Sequence, residues 1–127
     1  MNSVNLNVLE GRLTAGPVVK ATEKGTLLCT FSLAYNRYYR KDGDTEAEKE
    51  VSFFDIETWG RTAELCRDLA AKGTLVRVTG RLKQSRWDDE EGGHHARVII
   101  VADRVEFARG NQGREEPEEP EPEGESV

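Results

Sequence analysis

One stretch of this chain is patterned as a helix, and it is bracketed by stretches patterned as strands. In RTAELCRDLAAKG, residues 61–73, Leu65, Cys66 and Leu69 recur at helical spacing. The segment closes on Lys72-Gly73, a cationic last turn followed by a glycine cap. Apolar residues on either side alternate with polar ones at a period of two, the mark of a half-buried strand. Three such patterns precede the helix and two follow it.

The first strand pattern runs from Leu6 to Leu13 with an interruption at Gly11, and Gly16-Pro17 then turns the chain. The second covers Thr26 to Asn36, with Leu27, Cys29, Phe31, Leu33 and Tyr35 on one face. RKDGDTEAEKE, residues 40–50, is polar throughout and reads as a long exposed hairpin loop. Strand three, Val51 to Trp59, turns Phe54 and Ile56 to one face and Phe53, Asp55, Glu57 and Trp59 to the other. Strand four starts after Thr74 with Val76, Val78, Gly80 and Leu82 inward and Arg77, Thr79, Arg81 and Lys83 outward. DDEEGGHH forms a hairpin tip, and Ala96 to Phe107 is the fifth strand. This order predicts an all-β fold, a five-stranded OB-fold barrel with one α-helix between strands three and four. A small mixed sheet with one helix fits the same order.

The net charge of -6 first argues against a polyanionic partner, but its distribution reverses that impression. Seven of the 24 acids lie in residues 115–127, leaving 17 against all 18 bases in residues 1–114. From residue 110 the chain reads GNQGREEPEEPEPEGESV, a Glu- and Pro-rich composition that cannot build a core. We therefore expect an ordered domain over 1–109 and a disordered acidic C-terminal tail over 110–127. A nearly neutral body can still carry a basic groove, because position rather than the sum decides.

The informative anomaly is the outer face of strand three. Phe53 and Trp59 share it, six residues and so about 20 Å apart, a separation that lets them serve different nucleotides of one strand. Stacking on an aromatic is worth about 1–3 kcal/mol per base and is tolerant of sequence. Two other rings are embedded in charge. Tyr38-Tyr39 lies among Arg37, Arg40 and Lys41, and Trp87 follows Lys83 and Arg86. These features point to binding of single-stranded nucleic acid. Phe53 packed on a loop or subunit, and Trp59 packed on the helix start, are the alternative placements. Asp55 and Glu57 oppose a phosphate ligand unless they pair with cations across the strands or lie at a subunit contact. An interaction scaffold, with the aromatics binding protein and the tail as spacer, is the competing reading.

Enzymatic readings find little to build on. His94 and His95 are adjacent, so on a strand they point to opposite faces and cannot jointly hold a metal without a distorted loop. Cys29 and Cys66 lie 37 positions apart in apolar runs and read as reduced core residues. No phosphate-binding glycine loop or nucleophile triad can be assembled. We expect no catalysis, no cofactor and no metal. No stretch has the roughly 20 apolar residues of a membrane span, and MNSVNLNVLEGR lacks the pattern of a signal peptide, so the expected location is the cytoplasm.

Four segments, NVLEGRLTAGPVVK, FSLAYNRYYR, FFDIETWGRTAELCRDLAAKG and VRVTGRLKQSRW, carry a resemblance in order and spacing. Over residues 4–108 the chain resembles the bacterial single-stranded DNA-binding proteins. The resemblance implies stacking positions at Tyr39, Phe53 and Trp87, with a further ring at Trp59. It implies phosphate contacts from Lys20, Lys72, Lys83 and Arg86, with Arg12, Arg37, Arg77 and Arg81 as additions. A homotetramer that wraps single-stranded DNA, in association with the nucleoid and serving replication, recombination and repair, is implied with them. Tyrosine and phenylalanine stand where tryptophans are common at the first two stacking positions, which implies weaker stacking there. The family commonly closes an acidic tip with Pro-Phe, whereas this chain reads Gly-Glu-Ser-Val. Replication and repair proteins are therefore a weaker expectation than DNA. The tail itself should compete with DNA for the groove at high effective concentration.

Overall fold

The computed structural model describes residues 1–43 and 45–108. Seven elements follow in chain order: β1 (Asn7–Leu13), β2 (Val18–Ala21), β3 (Leu27–Tyr39), β4 (Glu48–Trp59), α1 (Gly60–Leu69), β5 (Leu75–Asp88) and β6 (His94–Phe107). The strands lie in the order β1-β5-β6-β4-β3-β2, and β1 also pairs with β3. That last pairing closes β1, β5, β6, β4 and β3 into a five-stranded barrel, with β2 outside the ring on β3 and α1 between the third and fourth barrel strands. The expected OB-type architecture is the one observed.

Closure depends on β1 serving two neighbours. Asn7 to Arg12 pair with Gly80 to Leu75 of β5, while Arg12 and Leu13 pair with Ala34 and Leu33 of β3. Gly11 permits the approach, since a Cβ there would meet the Ala34 carbonyl oxygen at 2.5 Å. At Gly80 a Cβ would overlap the Val101 carbonyl oxygen, and the β5–β6 ladder shifts register between Thr79 and Gly80. Such a bulge bends a strand, and here it lies where β5 parts from β1.

The core joins Leu13, Cys29, Phe31, Leu33, Ile56, Val76, Val78 and Ile100 to Ala63 and Cys66 of α1. Each fully buried branched aliphatic side chain contributes about 1.5–3 kcal/mol. The Thr58 hydroxyl, buried beside them, donates to the Cys29 carbonyl at 2.7 Å. Burial pushes the thiol of Cys29 up, and that of Cys66 to about 12, so neither forms a thiolate readily.

Several expectations need correction. Leu65 and Leu69 lie on the exposed side of α1; only Ala63 and Cys66 are buried. The helix ends at Leu69, short of Lys72, because residues 71–74 form a separate turn. There the Thr74 N–H donates to the Ala71 carbonyl at 3.0 Å and the Gly73 N–H to the Leu13 carbonyl at 2.8 Å. β2 was not foreseen, for its four residues are all exposed and carry no alternation. Leu82, expected inward, is exposed because it lies past Gly80, where the pairing of β5 with β1 ends. The polar segment 40–50 is only partly loop. The register pairs Arg37 with Glu50, Tyr38 with Lys49 and Tyr39 with Glu48, which sets opposite charges across the ladder, as in Arg37–Glu50 at 3.6 Å. His94 and His95 likewise belong to β6 rather than to a loop. The anticipated tail, with Arg109, lies outside the described residues.

Candidate nucleic-acid interface

The site grows from β4. Ile56 and Thr58 point into the barrel and are buried, so Phe53, Asp55, Glu57 and Trp59 face outward, as alternation predicts. Phe53 is 65% exposed and has no ring partner among the described residues; Trp59 is 39% exposed, with its Nε1–H donating to Glu57 Oε1 at 3.0 Å. Phe54 has inward parity but stands beyond the core beside Tyr35, ring centroids 6.4 Å apart.

The parallel seam of β4 with β6 pairs Ile56 with Ile100 and Glu57 with Val101. It brings the outer residues of β6 alongside those of β4, and Arg97 reaches Asp55 at 3.3 Å. That contact neutralises one of the carboxylates that opposed a phosphate ligand. Glu57 is occupied by the Trp59 indole. A groove of about 300 Å³ opens here, lined in part by Thr30, Ser32, Asp55, Glu57 and Arg97.

Pairing of β6 with β5 extends the face. Val101, Ile99, Arg97 and His95 lie opposite Arg81, Lys83, Ser85 and Trp87. Trp87, 46% exposed, stacks on His95 with ring centroids 5.4 Å apart and planes 19° from parallel, and the Arg97 guanidinium lies 5.8 Å from its ring. On the other flank Lys20 pairs with Leu28, which pairs with Trp59, so Lys20 belongs to the same outer face. One continuous surface therefore unites Phe53, Trp59 and Trp87 with Lys20, Arg81, Lys83 and Arg97.

The remaining sequence-predicted residues stand elsewhere. Tyr39 and Arg37 have the parity of Tyr35, opposite to that of Phe53. The Tyr39 hydroxyl donates to Glu48 at 3.1 Å, Arg37 lies 5.1 Å over its ring, and the Glu48 bond holds the phenol above its usual pKa. Tyr38, rather than Tyr39, shares the face of Phe53. Arg12 donates to the Gly73 carbonyl at 2.7 Å, and Arg77 grips Glu10 through Nε at 2.8 Å and Nη2 at 2.6 Å. Lys72 is exposed at the helix end of the barrel. Arg86 is on the opposite side of the ribbon from Trp87, bonded to Gln84.

Sequence reading missed Arg97 and His95. The fifth strand reads as one apolar run, and nothing in it announces which face either residue takes until the register is known. His95 also looked like a loop residue.

A closed β-barrel carrying exposed rings and cations on one outer face has the architecture of an OB-type binding module. The chain belongs to the Single-strand binding protein family, whose match spans residues 2–108. It is 47% identical over 107 residues to a single-stranded DNA-binding protein of Treponema pallidum, covering 84% of this chain and 59% of that one. It is 38% identical over 110 residues to one of Caldanaerobacter subterraneus, covering 87% and 71%. Among solved structures, the Plasmodium falciparum SSB complex with ssDNA superposes with a TM-score of 0.78 at 24% identity, over 85% of this chain and 97% of that one, a likeness of fold. A deletion mutant of the single-stranded DNA binding protein from Thermus aquaticus gives 0.74 at 26% identity, over 85% and 52%. No described helix is long and apolar enough to cross a membrane.

Proposed function

We propose that this chain binds single-stranded DNA without sequence preference, coating and protecting it during replication, recombination and repair. The observation that carries the reading is the single outer face joining Phe53, Trp59 and Trp87 to Lys20, Arg81, Lys83 and Arg97. Rings accept bases on their π-faces while cations track the phosphates. Asp55 and Glu57 are compatible with that ligand because each already has a partner on the protein. The names of the relatives support the same ligand.

Tyr39 and Arg37 join this surface if DNA passes around the rim of the β3–β4 hairpin, and Arg86 and Lys72 if it wraps the barrel. Arg12 and Arg77 act in the fold first, through Gly73 and Glu10. The chain performs no chemistry on the DNA and works as a homotetramer in the cytoplasm; DNA, rather than replication and repair proteins, is the partner this surface supports.

Titration with oligo-dT, followed by tryptophan fluorescence, tests the reading. Quenching at low salt, with affinity falling steeply as salt rises, is the expected result, because bound cations release counterions from the phosphates. Absence of quenching at low salt overturns it. Light scattering reports the assembly state.

A further inference from the structure

The β5–β6 tip holds an arrangement that phosphate binding does not need. Asp89 Oδ1 accepts the backbone N–H groups of Glu91 at 3.0 Å and Gly93 at 2.6 Å, and its Oδ2 meets His95 Nε2 at 2.7 Å. Gly92 takes a φ of 86°, and a Cβ on Gly93 would come within 2.7 Å of Asp89 Oδ2, so the turn is shaped around this carboxylate. His95, fixed by the carboxylate, is the ring stacked on Trp87. The hydrogen bonds from His95 and the turn hold Asp89 below the usual carboxylate range. It is therefore ionised at neutral pH and can only accept, which makes His95 Nε2–H the donor.

We propose that His95 and Asp89 are positioning residues for Trp87, holding its indole in place for a base of single-stranded DNA. This rests on the function proposed above. The tip turn orients Asp89, Asp89 orients His95, and His95 presents the indole already aligned for a base, so less rotamer freedom is lost on binding.

The test is an oligo-dT titration at fixed low salt and fixed pH, on the full chain. His95→Ala should bind several-fold more weakly than wild type. His95→Phe keeps a flat ring without the tether to Asp89 and should recover part of that loss, and Asp89→Asn should likewise lie between wild type and His95→Ala. His94→Gln, on the other side of the ribbon, should bind as wild type does. Unchanged affinity in His95→Ala, or a loss in His95→Phe as large as in His95→Ala, overturns the proposal.

A readout without DNA separates this inference from the one beneath it. In a Trp59→Phe background Trp87 is the only tryptophan, and its emission anisotropy should fall in His95→Ala and be recovered in His95→Phe. That response in a protein that does not bind oligo-dT sinks the DNA reading and leaves the contact standing. Binding with no response at His95 by either measure sinks the positioning role alone.

Discussion

Two antiparallel hairpins extend from this barrel, and their aromatic residues are held in opposite ways. Near the end of β3–β4, Tyr39 is tied through its hydroxyl to Glu48 and covered by Arg37 on the side away from Phe53. Near the end of β5–β6, Trp87 has no polar tether among the described residues; it is backed by His95 and flanked by Arg97 on the face that also carries Lys83 and Arg81. In the first hairpin the ring is occupied by its own strand pair. In the second the ring is supported from behind and surrounded by cations. Similar local composition, an aromatic among bases, thus yields one ring engaged by the protein and one prepared for a ligand, and strand parity makes the difference.

The largest effect should come from the base of the second hairpin, where β5 parts from β1. Gly80→Val drives a side chain into the Val101 carbonyl and should cost about 3 kcal/mol or more in urea unfolding, as overpacking of a closed barrel does. In the first hairpin, Gly43→Ala meets nothing within 4 Å and strains only its φ of 84°, which should cost about 1 kcal/mol. Comparable losses would show that the hairpins are equally rooted.

Next in size, Trp87→Ala should weaken oligo-dT binding about tenfold or more, as loss of a stacking platform does. Tyr39→Ala should weaken it less than about threefold, since its partners are already on the protein. The reverse order would mean that DNA displaces Glu48 from Tyr39. Smaller again, Lys83→Ala should reduce the slope of log affinity against log salt by about one contact, with a uniform loss across sequences. Smallest of all, Tyr39→Phe should leave affinity nearly unchanged, because an exposed side-chain hydrogen bond contributes little.

Much of the fold was legible because the barrel's inner residues keep strict alternation. Ile56 and Thr58, or Val76 and Val78, are buried where a period of two puts them, and Phe53, Asp55, Glu57 and Trp59 are outward for the same reason. The failures have physical causes. β2 is short and wholly exposed, so burial left no trace in its composition. Leu65 and Leu69 show that helical spacing does not say which side of α1 meets the barrel. The hairpin ends look like loops because they are stabilised by charge pairs across a ladder, and such pairs are visible only in register. For that reason Arg97 and His95 went unnoticed: each matters through its cross-strand neighbours, Asp55 and Trp87.

The seam between β4 and β6 has a further consequence, in the order of events as the chain folds. Both hairpins join segments that follow one another in the chain and can zip up from their turns, whereas the seam pairs Ile56 with Ile100, 44 positions away, through only two residue pairs. Contacts of that separation carry the larger loop-closure cost. The ring of strands should close late, after its two ribbons exist. Mutations at the seam should then act on the rate of unfolding more than on the rate of folding.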